Sequence, residues 1–342
     1  MQHDSPFSKP NRTRPKAEHT GRRCWAAIAA ILCNLLGATT ATAQHEVFAR
    51  PTIELSNDEG NVADLMREIP QGGSLGSFGA GSPIAASAEV WTWQTLPDGV
   101  IYPSYLAGPK EPRFAAVFNQ DANLGWMLDL EAGGRVSLVR YGTTSARRPE
   151  GWELDIEGAA FPRLDLEHDE DLVSADFRVG VPLTLGVGPL QAKLEVYHLS
   201  SHLGDEFMLR LPEHPRINYS RNALVLGASY FPTDDLRLYA EAEWAFYTDG
   251  GTRPWEFQFG LEYTPLRSAF GANGAPFLAL NGQILEEVDY GGNVVVQAGW
   301  QWQGGSNHRM RVGVQYFSGK SDQYQFYSKN ENKIGVGLWY DF

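Results

Sequence analysis

The stretch Tyr197-His198-Leu199-Ser200-Ser201-His202-Leu203-Gly204-Asp205-Glu206 holds the residues of this chain best suited to chemistry. A serine becomes a nucleophile only when a neighbouring base takes its proton and a third group orients that base. On a β-strand, residues two apart point the same way, so a His-x-Ser pair such as His198 and Ser200 can meet the first requirement. Two asparagines, Asn218 and Asn222, begin the following strand and could supply the third group. Two other readings compete. His198, Ser200 and His202 could be rim residues that bond lipid headgroups or the loop at Asp205 and Glu206. They could also form a metal site with Asp205 and Glu206, although the spacing is not that of a known ligand set. No cofactor is expected.

The elements that would carry these residues are strands. Leu190, Ala192, Leu194 and Val196 alternate with polar residues and run on in phase to His198, Ser200 and His202. The same alternation recurs. Leu236, Leu238, Ala240, Ala242, Trp244 and Phe246 share one face, with Arg237, Tyr239, Glu241, Glu243 and Tyr247 on the other. About twelve such segments follow one another, near 122–130, 134–142, 151–160, 173–184, 190–202, 217–231, 235–247, 254–264, 275–286, 292–303, 308–318 and 332–342. Most run to about ten residues, the length of a tilted strand crossing a bilayer. Strands that span lipid must close on themselves, and single-chain barrels favour an even count. The expected fold is therefore an all-β transmembrane antiparallel barrel of about twelve strands. With both barrel ends on the inner side, the short connections at 186–189, 232–235 and 304–307 fall inside and the long ones at 203–216 and 319–331 outside. A short outer turn at 131–134 and a long inner connection at 265–274 fit this pattern less well.

That parity puts His198 and Ser200 on the outer wall near the outer rim. It sends Asp129, Glu153, Asp155, Glu157, Arg178, Lys193, Glu195, Arg237 and Glu241 into the lumen, because a bare charge facing lipid costs a few kcal/mol. A salt-bridged, mostly closed lumen is expected, with a narrow cation-leaning pore as the alternative. The last strand, with Ile334, Val336, Leu338, Tyr340 and Phe342 in phase, resembles the signal read by the bacterial barrel-assembly machinery, which makes that machinery an expected partner through Phe342.

Composition is consistent with this placement. The 342 residues carry a formal charge of −13, with 36 Gly, 10 Trp, 14 Tyr and 17 Phe. Residues 1–43 read as a signal peptide: a basic region from Lys9 to Arg23, an apolar run from Trp25 to Leu36, and Ala41-Thr42-Ala43 before the cut. Cleavage there removes six basic and two acidic residues and leaves a charge of −17. So acidic a chain is a poor nucleic-acid binder. It also removes Cys24 and Cys33, the only cysteines, so disulfides and thiolate metal sites drop out. No later stretch is apolar enough for a membrane helix. Residues 44–111 form a distinct periplasmic, plug-like or flexible segment, with a short helix possible at Val62–Ile69 and a Gly/Ser/Ala-rich run at Gln71–Ala88. Residues 112–342 form the barrel. The expected location is the outer membrane of a Gram-negative envelope, with outer-membrane lipids as partners and an oligomeric state left open.

Two resemblances follow. The His-x-Ser pair on an outer barrel face resembles the outer-membrane phospholipase and lipid A deacylase families. By that likeness His198 is the base, Ser200 the nucleophile, and Asn218 or Asn222 the orienter of a lipid acyl hydrolase. More broadly, Pro109–Phe114, Asp171–Leu183 and Tyr197–Phe207 resemble the bacterial family catalogued as domain of unknown function 1207, from roughly residue 95 to the end. That likeness implies an envelope protein and no particular reaction, so the leading reading is an outer-membrane β-barrel of unassigned activity, with the serine acyl hydrolase acting on phospholipid or lipid A and the narrow cation-leaning pore as alternatives.

Overall fold

The computed structural model describes residues 90–144, 148–265, 273–304 and 308–342. The expected signal peptide, the helix expected at 62–69 and the Gly/Ser/Ala-rich run lie outside the described residues. Thirteen strands follow in order: β1 (Thr92–Thr95), β2 (Phe114–Asp121), β3 (Gly125–Gly142), β4 (Gly151–Asp165), β5 (Asp171–Val187), β6 (Leu190–Leu203), β7 (Ser220–Tyr230), β8 (Leu236–Asp249), β9 (Trp255–Tyr263), β10 (Ala275–Leu285), β11 (Gly291–Gln303), β12 (Arg309–Lys320) and β13 (Asn330–Asp341). Strands β2 to β13 each pair antiparallel with the next, and β13 pairs with β2 from Lys333↔Asp121 to Tyr340↔Phe114. The result is a closed twelve-strand antiparallel barrel, so no edge is left unpaired around the ring. β1 lies outside that ring of pairings and adds four residues along the inner end of β3.

The count agrees with the sequence pattern, but the first two strands were placed wrongly. The segments at 122–130 and 134–142 are one strand, β3, and the true first barrel strand, β2, precedes them. Gly133-Gly134 reads as a turn, yet these glycines serve close approach within a strand. A Cβ on Gly133 would lie 2.2 Å from the Gly158 carbonyl oxygen, and one on Gly134 would lie 3.0 Å from the Phe342 ring.

Alternation along each strand separates two environments. On β5 and β6 the exposed face carries Phe177, Val179, Val181, Leu183, Leu185, Leu190, Leu194 and Val196. Such a continuous apolar outer wall needs lipid around it. The inner face holds buried ions set against opposite charges, in pairs and in clusters. Arg163 bonds Asp129 (2.5 Å), Glu331 (2.7 Å) and Asp322 (2.7 Å), Lys193 bonds Glu241 (2.8 Å), and Arg311 bonds Asp341 (2.7 Å). Removing one member of such a pair leaves the other charge buried, which costs roughly 3–5 kcal/mol.

The lumen is filled from both ends. Between β1 and β2 the chain enters from the inner side. Ile101 N–H donates to Glu153 (2.9 Å), Leu106 N–H donates to Glu262 (2.7 Å), and Tyr105 stacks on Tyr239 at 3.8 Å while its hydroxyl donates to Glu241 (2.9 Å). From the outer side the connection between β12 and β13 folds inward through a 3-10 turn at Tyr324–Phe326, all three residues buried. Gln323 accepts from the Ser174 hydroxyl (2.9 Å), and Gln325 donates to the Ser201 carbonyl (2.7 Å). The outer connection between β6 and β7 carries a short helix, α1 (Asp205–Arg210), tied to the rim of the barrel by Arg210 bonds to Asp165 (2.9 Å) and Asp171 (2.8 Å).

Candidate functional site

The site lies on the outside of the barrel, across β5 to β8. Alternation along β6 is unbroken, so His198 is exposed and Ser200 half-buried on the lipid face, while Tyr197, Leu199 and Ser201 turn inward and are buried. The register between β6 and β7 sets His198 opposite Asn222 and Ser200 opposite Ser220. The hydrogen bond from Ser201 N–H to the Tyr219 carbonyl (3.0 Å) marks the odd-numbered positions of β6 as the hydrogen-bonded pairs with β7. The His198 and Ser200 pairs are thus the non-hydrogen-bonded kind, whose side chains approach most closely.

That closeness is used. His198 Nδ1 and Asn222 Oδ1 are 2.7 Å apart. An amide oxygen only accepts, so Nδ1–H donates to Asn222 and the contact orients the imidazole ring. Ser200 stands two residues further along the same face, about 6.7 Å by strand rise. Its hydroxyl makes no hydrogen bond among the described residues, to His198 included.

The other sequence candidates are placed elsewhere. Asn218 donates to Asp249 Oδ2 (2.7 Å) at the rim, so it is Asn222, of the two asparagines, that holds His198. His202 is exposed beside Phe177, with ring centroids 6.0 Å apart. Asp205 and Glu206 open α1 and are exposed. No group of three or more His, Cys, Asp or Glu among the described residues is arranged to hold a metal ion.

The next strand adds residues that the alternation misassigned. The register of β7 with β8 shifts between Asn222 and Ala223, where Ala223 faces Ala245 and Asn222 faces Tyr247. One extra residue, Phe246, is accommodated there as a bulge. Tyr247, expected on the lumen side, therefore lies on the outer face beside Asn222, and Asp249 follows on that face opposite Ser220. Two rows result across the wall. The upper one runs Phe177, Ser200, Ser220, Asp249, and the lower one Val179, His198, Asn222, Tyr247.

Comparison with known proteins gives a family and distant likenesses. Residues 76–342 match the family described as "Protein of unknown function (DUF1207)". None of the curated proteins matches the sequence. Among solved structures, the outer membrane phospholipase A of Escherichia coli aligns with 12% identity and a TM-score of 0.47, over 70% of this chain and 97% of that one. The Salmonella typhi enzyme, solved as a dimer with bound calcium, gives 12% identity and 0.47, over 70% and 91%. The KdgM porin gives 11% and 0.39, over 67% and 99%. These are likenesses of barrel fold.

Proposed function

This chain belongs to the DUF1207 family, and from that premise we propose that it is an outer-membrane serine acyl hydrolase acting on lipid esters from the outer face of its barrel. The observation that carries the reading is the 2.7 Å contact of His198 Nδ1 with Asn222 Oδ1, on the lipid face and in line with Ser200. A histidine on the lipid-facing wall, with its ring oriented through Nδ1 by Asn222, is positioned to serve as the base for a serine on the same face.

The reaction follows from those positions. Ser200 Oγ attacks the ester carbonyl carbon as His198 Nε2 takes the hydroxyl proton. The tetrahedral intermediate expels the lipid alkoxide, which receives that proton, and an acyl-serine remains. Water, deprotonated by the same nitrogen, then releases the fatty acid and restores Ser200. Asn222 keeps the ring oriented and stabilises the imidazolium through its carbonyl oxygen. The acyl chain lies down the apolar wall along Val196 and Leu224, both exposed. The pore alternative gains nothing from the geometry, because chain from both ends occupies the lumen.

The test is direct. The purified barrel is given phospholipid and lipid A in mixed micelles, and released fatty acid is measured against a Ser200→Ala control. Release that disappears in the control supports the hydrolase. No release by the wild type, or equal release by the control, removes it.

A further inference from the structure

We propose that Asp249 selects an amine-bearing phospholipid, one with an ethanolamine headgroup, as the substrate of the Ser200 site; this deepens the hydrolase reading and rests on it. The argument is one of placement along the upper row. An ester carbonyl at Ser200 sits one strand from Ser220 and two strands from Asp249, in register throughout. Two strand spacings are about 10 Å, a span that a phosphoethanolamine arm can cover from a glycerol ester. The phosphodiester then lies over the Ser220 hydroxyl, and the ammonium arrives at the carboxylate.

The end point of that row suits a cation. Asp249 is exposed, and its orientation is fixed by two donors, Asn218 Nδ2 on Oδ2 (2.7 Å) and Gly250 N–H on Oδ1 (2.7 Å). A carboxylate accepts about four hydrogen bonds, so both oxygens retain acceptor sites for an ammonium. Tyr247 lies two residues earlier on the same face, brought there by the bulge at Phe246. An aromatic ring beside a carboxylate is a favourable setting for an ammonium group.

The rows also disfavour the alternative acyl lipid. Neither contains Lys or Arg, the residues that hold the paired phosphates of a lipid A disaccharide. Asp249 would repel such a headgroup, and an anionic phosphatidylglycerol gains nothing from it.

The experiment compares three lipids with identical acyl chains in mixed micelles: phosphatidylethanolamine, its N-acetylated form and phosphatidylglycerol. The N-acetyl lipid keeps the arm and removes the positive charge. Full-length mature wild type is expected to show kcat/KM about tenfold higher for phosphatidylethanolamine than for the other two, mainly through KM, as for one charge-assisted contact. In Asp249→Asn that ratio falls to about twofold or less, and in Asp249→Lys the preference turns to phosphatidylglycerol. Folding of each variant is checked by the heat-dependent gel shift of the barrel. Equal rates on all three lipids by wild type, or an unchanged ratio in Asp249→Asn, overturn the selection by Asp249 and leave the hydrolase standing. No fatty acid from any lipid removes both.

Discussion

Lys110 Nζ lies 2.7 Å from Asp176 Oδ2 inside the barrel, and both side chains are almost wholly buried. The same carboxylate oxygen accepts the Tyr324 N–H at 3.2 Å. Lys110 comes from the segment that enters from the inner side and Tyr324 from the connection that folds in from the outer side. Asp176 on β5 is therefore where the two insertions meet. The Lys110 ammonium also faces the Phe161 ring at 4.8 Å and the Tyr324 ring at 5.7 Å. Asp176→Ala leaves a buried ammonium without its counter-charge and is expected to cost roughly 3–5 kcal/mol. Lys110→Met with Asp176→Asn removes both charges and should recover most of that loss. The midpoint of heat-dependent gel mobility measures both. A double variant as unstable as Asp176→Ala would show that the pair does not hold the insertions together.

The two asparagines near the serine separate a catalytic from a rim role. Asn222→Ala frees the His198 ring and is expected to lower kcat by about two orders of magnitude, the lower end of the range typical of general-base assistance. His198→Ala should abolish turnover. Asn218→Ala removes a contact to Asp249 and leaves the His198 contact intact, so its kcat on phosphatidylglycerol should stay within a few-fold of wild type. Steady-state kinetics on that lipid ranks the three variants. An Asn218→Ala effect equal to that of Asn222→Ala would mean that the orientation of His198 has been misassigned.

A pH effect is expected at the outer mouth. Glu287 follows β10 in the 3-10 turn Glu286–Val288 and accepts from the Tyr219 hydroxyl at 2.9 Å. Burial raises its carboxyl above the ordinary carboxylate value, against the opposing pull of Arg221 and the Tyr219 hydrogen bond. A carboxyl whose pKa is raised on folding binds more protons in the native state than in the unfolded one. Stability from this group is present below the unfolded value near 4.5 and is lost as pH rises through the raised folded value. Glu287→Gln keeps an acceptor for Tyr219 and should raise the unfolding midpoint above wild type at pH 8, with the gain shrinking toward pH 4. Thermal melts across that range check it, and a gain that grew toward acid would contradict the sign.

Much of this arrangement is legible in the sequence, and the gaps have physical causes. The outward direction of His198 and Ser200 could be read because alternation on β6 is unbroken from Leu190 to Leu203. The choice between Asn218 and Asn222 could not, because 16 residues, α1 among them, separate β6 from β7 and leave the register open. Only the backbone pairing Ser200↔Ser220 settles it. Tyr247 was misassigned because a bulge inserts one residue without any change in residue pattern, and every later side chain on the strand then changes face. The consequence can be measured. Mature protein contains no cysteine if residues 1–43 are removed, so single-cysteine variants at Glu243, Phe246 and Tyr247 can carry spin labels. Labels at 246 and 247 should both be accessible to lipid-dissolved oxygen, and the label at 243 protected. A protected 247 would mean that the strand has no bulge.

Gly133 and Gly134 make a contrast within one strand. A Cβ on Gly133 meets the Gly158 carbonyl oxygen at 2.2 Å and Ala159 Cα at 2.5 Å, both backbone atoms of the paired strand β4. Nothing there can move without separating β3 from β4. The three atoms nearest a Cβ on Gly134 all belong to the Phe342 ring, the first at 3.0 Å. That ring belongs to the chain terminus, where it also touches Phe114 (5.5 Å between centroids) and His308 (5.5 Å), and it can swing aside. Gly133→Ala should therefore destabilise the barrel by about 1–3 kcal/mol, the range for forcing extra volume into a packed site, and Gly134→Ala by clearly less. Deleting Phe342 should make Gly134→Ala neutral while leaving the Gly133→Ala penalty unchanged, because only the first contact involves that ring. Unfolding midpoints in urea with liposome-folded protein compare the four variants. Equal penalties for the two glycines would mean that the β3–β4 contact is looser than its geometry indicates.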